Sequence, residues 1–108
     1  MKTLYYDKLV RDNIPQIIEE EGKKCKCVSL SDDQYKEYLN NKLIEELNEY
    51  LNDYSINELA DLLEVIFSIA ETMGISREQL EKIRLDKANT NGCFSKKLCL
   101  KEVYTESD

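Results

Sequence analysis

Between residues 32 and 52, apolar side chains recur at intervals of three and four. Leu39, Leu43, Ile44, Leu47, Tyr50 and Leu51 form one stripe, the spacing of an amphipathic helix with one face on a core. A second helix-length run follows at 56–73, with Gly74 just past its end. There Leu59, Leu62, Leu63, Val65, Ile66, Phe67, Ile69, Ala70 and Met73 cover most of the circumference. A shorter helix is predicted over 77–87, with Leu80, Ile83 and Leu85 inward. Each of these three has a reciprocal capping box at its start, Ser31 with Gln34, Ser55 with Glu58 and Ser76 with Gln79. Another helix is predicted over 14–21. Asp12 or Asn13 caps it, Pro15 sits in its first turn and Gly22 lies beyond its end.

The remaining segments lack a helical period. Residues 1–12 mix aromatic and charged side chains and read as an extended arm lying on the body. Residues 23–30 and 98–103 alternate apolar and polar positions, the period of a strand, so a short β pairing of the Cys27 and Leu98 regions is expected. The fold class is all-α, a bundle of about four helices. A helix apolar nearly all round needs cover on most sides, more than so short a chain supplies. We therefore expect the bundle to be completed by dimerisation, as a homodimer or a higher even oligomer.

Composition narrows this picture. A length of 108 residues suits one domain, 1–108. The net charge of -7 argues against a nucleic-acid partner, which calls for a basic footprint. With no histidine, imidazole metal ligands and His-activated nucleophiles are excluded. No apolar run of signal-peptide or membrane-span length occurs, so a cytoplasmic location, no membrane contact and reduced cysteines are expected. Cys25 and Cys27, like Cys93 and Cys99, lack the spacing of paired zinc ligands. Buried or part-buried thiols are expected instead.

Candidate chemistry lies in the acids. Glu45, Glu46 and Glu49 fall within about one helical turn, and Glu58 and Asp61 open the next helix. Like charges so placed repel, by a few tenths of a kcal/mol per pair on an exposed helix. If the two helices fold back on each other the repulsion grows, unless a hard divalent cation holds the oxygens together. Glu58 shares a stripe with Leu62, Val65 and Ile69, and Asp61 lies beside Val65, Ser68 and Thr72. Glu46 borders the apolar stripe of its helix, with Glu49 farther round and Glu45 more nearly outward. A carboxylate near a core must be paired or must bind metal. Each acid alone has a simpler account, Glu58 as a capping residue and Glu45, Glu46 and Glu49 as a solvated face paired with Lys42. Jointly they favour a magnesium site.

The same residues carry a resemblance. Glu45-Glu46-x-x-Glu49 followed by Glu58-x-x-Asp61 resembles the EExxE and ExxD signature of the MazG-like all-α nucleoside triphosphate pyrophosphohydrolase superfamily. Residues 6–15, YDKLVRDNIP, look like the KLVRD-x-IP opening of its phosphoribosyl-ATP pyrophosphohydrolase-like branch. ELADLLEVI at 58–66 resembles another block of that branch. Lys87 to Phe94 is similar to its closing K-x-x-x-RGGF element. Asn91 stands where the branch usually has Arg, and Cys93 where it has Gly. One fixed donor to phosphate is thereby lost, with Lys96 and Lys97 placed to compensate in part.

The resemblance implies hydrolysis of a nucleoside triphosphate substrate to the monophosphate and pyrophosphate. It implies magnesium, with manganese as an alternative, held by Glu46, Glu49, Glu58 and Asp61. Glu45 would orient or deprotonate the attacking water. Lys8, Arg11 and Lys87 would contact phosphate, Arg11 by a bidentate grip. For each of these cations a plain ion-pairing role is the competing account. Two other readings stand beside nucleotide house-cleaning. One is a phosphoribosyl-ATP pyrophosphohydrolase. The other is a non-catalytic acidic helical module that binds a protein.

Overall fold

The computed structural model describes residues 2–107; Met1 of the expected arm and Asp108 lie outside them. Four helices follow in order, α1 Ile14–Glu20, α2 Asp32–Asp53, α3 Ile56–Thr72 and α4 Arg77–Asn91. The all-α expectation holds. Both halves of the capping box form at Ser31 with Gln34 and at Ser76 with Gln79. Proline sits in the first turn of α1, but Asn13 makes no side-chain cap bond because its own backbone is already helical. Helix α4 runs to Asn91, past the predicted 87. Nothing between Ala88 and Asn91 breaks a helix, and Gly92, with φ of 87°, supplies the stop.

Helices α2 and α3 form the central hairpin, joined only by Tyr54 and Ser55. Tyr54 takes the left-handed conformation, φ 51° and ψ 33°, and donates its N–H to the Tyr50 carbonyl at 2.7 Å. Such a conformation costs a non-glycine residue about 1–2 kcal/mol. The edge-to-face contact of the Tyr50 and Tyr54 rings, centroids 5.7 Å apart, offsets part of it. So short a link makes the helices antiparallel neighbours. Helix α4 packs only on α3.

Among the described residues only Leu39, Val65 and Ala70 are buried apolar residues, Leu39 most completely. Of the predicted α2 stripe, Leu39, Leu43 and Tyr50 turn inward or part inward. Ile44, Leu47 and Leu51 stay exposed. On α3, Leu59, Leu63 and Ile66 are likewise exposed, and on α4 both Ile83 and Leu85 are, contrary to their predicted inward placement. Helix α4 touches one helix only, so just Leu80 and Ala88 on it are half-buried. The radius of gyration is 19.8 Å, against about 13 Å for a compact chain of this length.

The arm does lie on the body, tied by the Tyr38 hydroxyl donating to Asp7 at 2.7 Å and by the ion pairs of Lys8 and Arg11. The expected β pairing is corrected: among the described residues no strand forms, and 23–30 and 98–107 are irregular. Neither segment finds a partner inside one chain. The cysteines are corrected too. All four are free and exposed, because three of them lie in segments that pack on no core and Cys93 follows the end of α4.

Candidate metal centre

The hairpin geometry accounts for the acid cluster. Glu49 lies five residues before Tyr54 and Glu58 four after it, while Glu46 lies eight before and Asp61 seven after. With a rise of about 1.5 Å per residue, each pair sits at nearly the same height on the two antiparallel helices. Carboxylate oxygens of Glu46, Glu58 and Asp61 all come within 4.8 Å of one another. Glu46 is the one buried charged residue among those described, at 6% exposure.

Ser55 accepts from the Glu58 backbone N–H at 3.3 Å, but Glu58 does not return its carboxylate to the cap. That asymmetry decides between the two accounts of Glu58. In the other two boxes the third residue bonds back; here it turns to the cluster. Glu46 Oε2 and Glu58 Oε2 are both buried with no hydrogen-bond partner. A buried carboxylate oxygen left unpaired costs about 1–3 kcal/mol or more. Glu46, Glu58 and Asp61 each offer a carboxylate oxygen to the cluster, the hard donor type that divalent cations such as magnesium take.

The electrostatics agree. Burial pushes the Glu46 carboxyl above the usual carboxylate range; Glu49 and Asp61 add to this, and Lys42 opposes it. Glu58 is also raised, first by loss of water and then by the Glu49 carboxyl beside it, with smaller contributions from Asp61 and Asp53. Glu49 thus faces Glu58 but stands outside the closest trio.

The other predicted residues divide. Glu45 is half-buried and held by Lys42 at 3.4 Å and Lys8 at 3.5 Å, so it points to cations rather than to the trio. Arg11 Nη2 donates to Asp61 Oδ1 at 2.7 Å. Lys8 also sits 5.6 Å from the Tyr6 ring centroid. Lys87 is exposed on α4 and does not line the cavity that holds Glu46 and Asp61. That cavity has a volume of about 670 Å³. The arm, α1, α2 from Tyr35 to Glu46, one stripe of α3 and Arg77 of α4 enclose it, with Arg11 and Lys42 in its wall.

Sequence reasoning missed two features. Lys42, considered only as a surface partner, lies inside the site, 3.4 Å from Glu46 and 17% exposed. Its offset of four residues from Glu46 was the available signal. Arg77, in the same cavity, bonds Glu64 at 3.3 Å and covers the Phe67 ring at 4.4 Å. No local pattern marks it, because the contact joins two helices. No helix among the described residues is long and apolar enough to cross a membrane. Comparison with protein-family models, with curated proteins and with solved structures finds no match to this chain.

Proposed function

We propose that the chain is a magnesium-dependent nucleoside triphosphate pyrophosphohydrolase of the MazG-like kind, cytoplasmic and serving nucleotide house-cleaning. The observation that carries the reading is the convergence of Glu46, Glu58 and Asp61 with two buried carboxylate oxygens unsatisfied. Glu46, Glu58 and Asp61 would hold the ion, and Glu49, beside Glu58, would complete its shell. Magnesium supplies positive charge that neutralises phosphate and makes a neighbouring water more acidic. The chain's own groups do the rest. Arg11, on a half-exposed side chain at the cavity wall, grips phosphate oxygens through its planar fork. Lys8 and Lys42 hold the Glu45 carboxylate, so in this reading Glu45 positions those two cations rather than taking a proton from water. In the overall reaction that water breaks the anhydride between the α and β phosphates, and pyrophosphate leaves.

The functional unit in this proposal is a homodimer or a higher even oligomer. At about 100° per residue, Ile44, Leu47 and Leu51 sit to one side of the α2 contact face. Leu59, Leu63 and Ile66 are rotated in the same sense on α3. On antiparallel helices equal rotations fall on the same side of the hairpin, so these residues make one exposed apolar face. Such a face, beside so small a core, suits a second copy.

The test is pyrophosphate release from a panel of ordinary and modified nucleoside triphosphates with magnesium, against Glu49→Gln and Asp61→Asn. Each substitution should lower the rate by about ten- to a hundredfold. A rate unchanged in both would refute the mechanism.

A further inference from the structure

The acid site carries a cation of its own. Lys42 Nζ lies 3.4 Å from Oε1 of Glu46 and 3.4 Å from both oxygens of Glu45. Its side chain is 17% exposed, whereas every other cation in an ion pair among the described residues is at least 44% exposed. Lys8, 3.5 Å from Glu45, adds a further link. Charges therefore alternate along Lys8, Glu45, Lys42 and Glu46, and the row ends at a proposed metal ligand.

Helix stability does not account for this arrangement. Lysine four residues before glutamate is the less favourable order on a helix. Lys42 also stands in the middle of α2, where the helix dipole gives no return. Withdrawing an ammonium from water costs more than an exposed pair of this kind repays.

What Lys42 does is divide the two oxygens of Glu46. Oε1 faces the ammonium, while Oε2 is buried with no hydrogen-bond partner. The Glu46 side chain is 8% exposed and lines the cavity it shares with Asp61. A carboxylate with one oxygen taken by a neighbouring cation offers a metal one oxygen and not two. That distinction separates the common hard cations. Magnesium demands a near-ideal octahedron at about 2.0–2.1 Å, whereas calcium takes up to about eight oxygens at about 2.3–2.6 Å and accepts both from one carboxylate. The narrow bite of a chelating carboxylate suits the larger, more flexible calcium shell and strains the octahedron.

We infer that Lys42 is a positioning residue that holds Glu46 to single-oxygen binding and thereby selects magnesium over calcium. This rests on the metal site proposed above and assigns the residue that sets its ion preference. Lys42 acts through Glu46, without touching the ion.

The test is Lys42→Met, which keeps side-chain length and helix preference but loses the charge and the donors. Calorimetric titration of the full chain with magnesium chloride and, separately, with calcium chloride gives Kd for each ion. Removing a positive charge beside the site strengthens both divalent ions alike, so charge cancels in the ratio of the two constants. Freed from Lys42, Glu46 can chelate, and the ratio of calcium Kd to magnesium Kd should fall by at least about tenfold. Lys42→Arg keeps the charge and donors and should stay near the native ratio. Both constants tightening together in Lys42→Met, with the ratio unchanged, would reduce Lys42 to a counter-charge and overturn the inference. The native chain gives a second reading that needs no variant. In a crystal grown with manganese, Glu46 should meet the ion through one oxygen and Lys42 through the other; both oxygens on the ion would overturn the role. No heat from either ion with the native chain defeats the metal site, and the Lys42 role with it. Magnesium binding by the native chain, beside an unshifted ratio in Lys42→Met, defeats the Lys42 role alone.

Discussion

Replacing Glu46 by glutamine removes the most buried charge while keeping the side chain's shape. Two unit charges 4.8 Å apart repel by about 3.5 kcal/mol at an effective dielectric constant of about 20. Glu46 faces two such neighbours, Glu58 and Asp61. Against this, Lys42 at 3.4 Å attracts it by about 5 kcal/mol on the same scale. Repulsion wins by about 2 kcal/mol, and loss of hydration acts in the same direction. Without metal, Glu46→Gln should therefore be more stable than the native chain at neutral pH, by about 10 °C in Tm. Burial raises the Glu46 carboxyl, so protonation relieves the native chain as pH falls through that raised value. The gap should close there. With magnesium the order reverses, because the native chain gains about 2.7 kcal/mol at a hundred times Kd and the variant gains much less. Calorimetry at several pH values, with and without magnesium, reads both effects. A variant that is less stable without metal, yet keeps the full magnesium shift, would refute the reasoning.

Other outcomes follow from the same geometry. Glu46 and Glu58 both have raised values and must lose protons to bind metal. The magnesium-induced Tm shift should therefore grow as pH rises past the ordinary carboxylate range and through these raised values; a flat profile would contradict the ligand assignment. The metal-free fold should behave oppositely, losing stability over that window as these two acids ionise. Leu47→Glu or Leu63→Glu places a charge on the exposed apolar face and should turn a dimer into a monomer in sedimentation, whereas an unchanged mass would place the interface elsewhere. Arg11→Gln should raise KM more than it lowers kcat, because the guanidinium grips substrate at the cavity wall; an unchanged KM would restrict Arg11 to its pair with Asp61.

Much of the fold was legible because helices advertise themselves locally. The serine caps at Ser31, Ser55 and Ser76 fixed three starts within one residue, since a cap is a contact between residues three apart. The end of α4 was less legible: Asn89 to Asn91 have no apolar period, yet nothing stops a helix before Gly92. The expected β pairing does not form among the described residues, because a local pattern reports a strand's faces and says nothing about whether a partner lies within reach. At the site, spacing alone placed Glu46, Glu58 and Asp61 together, since a two-residue link leaves an antiparallel hairpin little freedom. Spacing could not show that Glu45 is taken up by Lys8. That depends on where the arm lies, and residues 1–12 have no period from which to read it.

The central claim is that carboxylates from α2 and α3 converge because a divalent cation belongs between them. A crystal grown with manganese tests it most directly through the ion's anomalous scattering. An anomalous peak within about 2.0–2.3 Å of oxygens from Glu46, Glu58 and Asp61 is the predicted result. Those carboxylates spread into solvent, with no peak between them at saturating manganese, would contradict it.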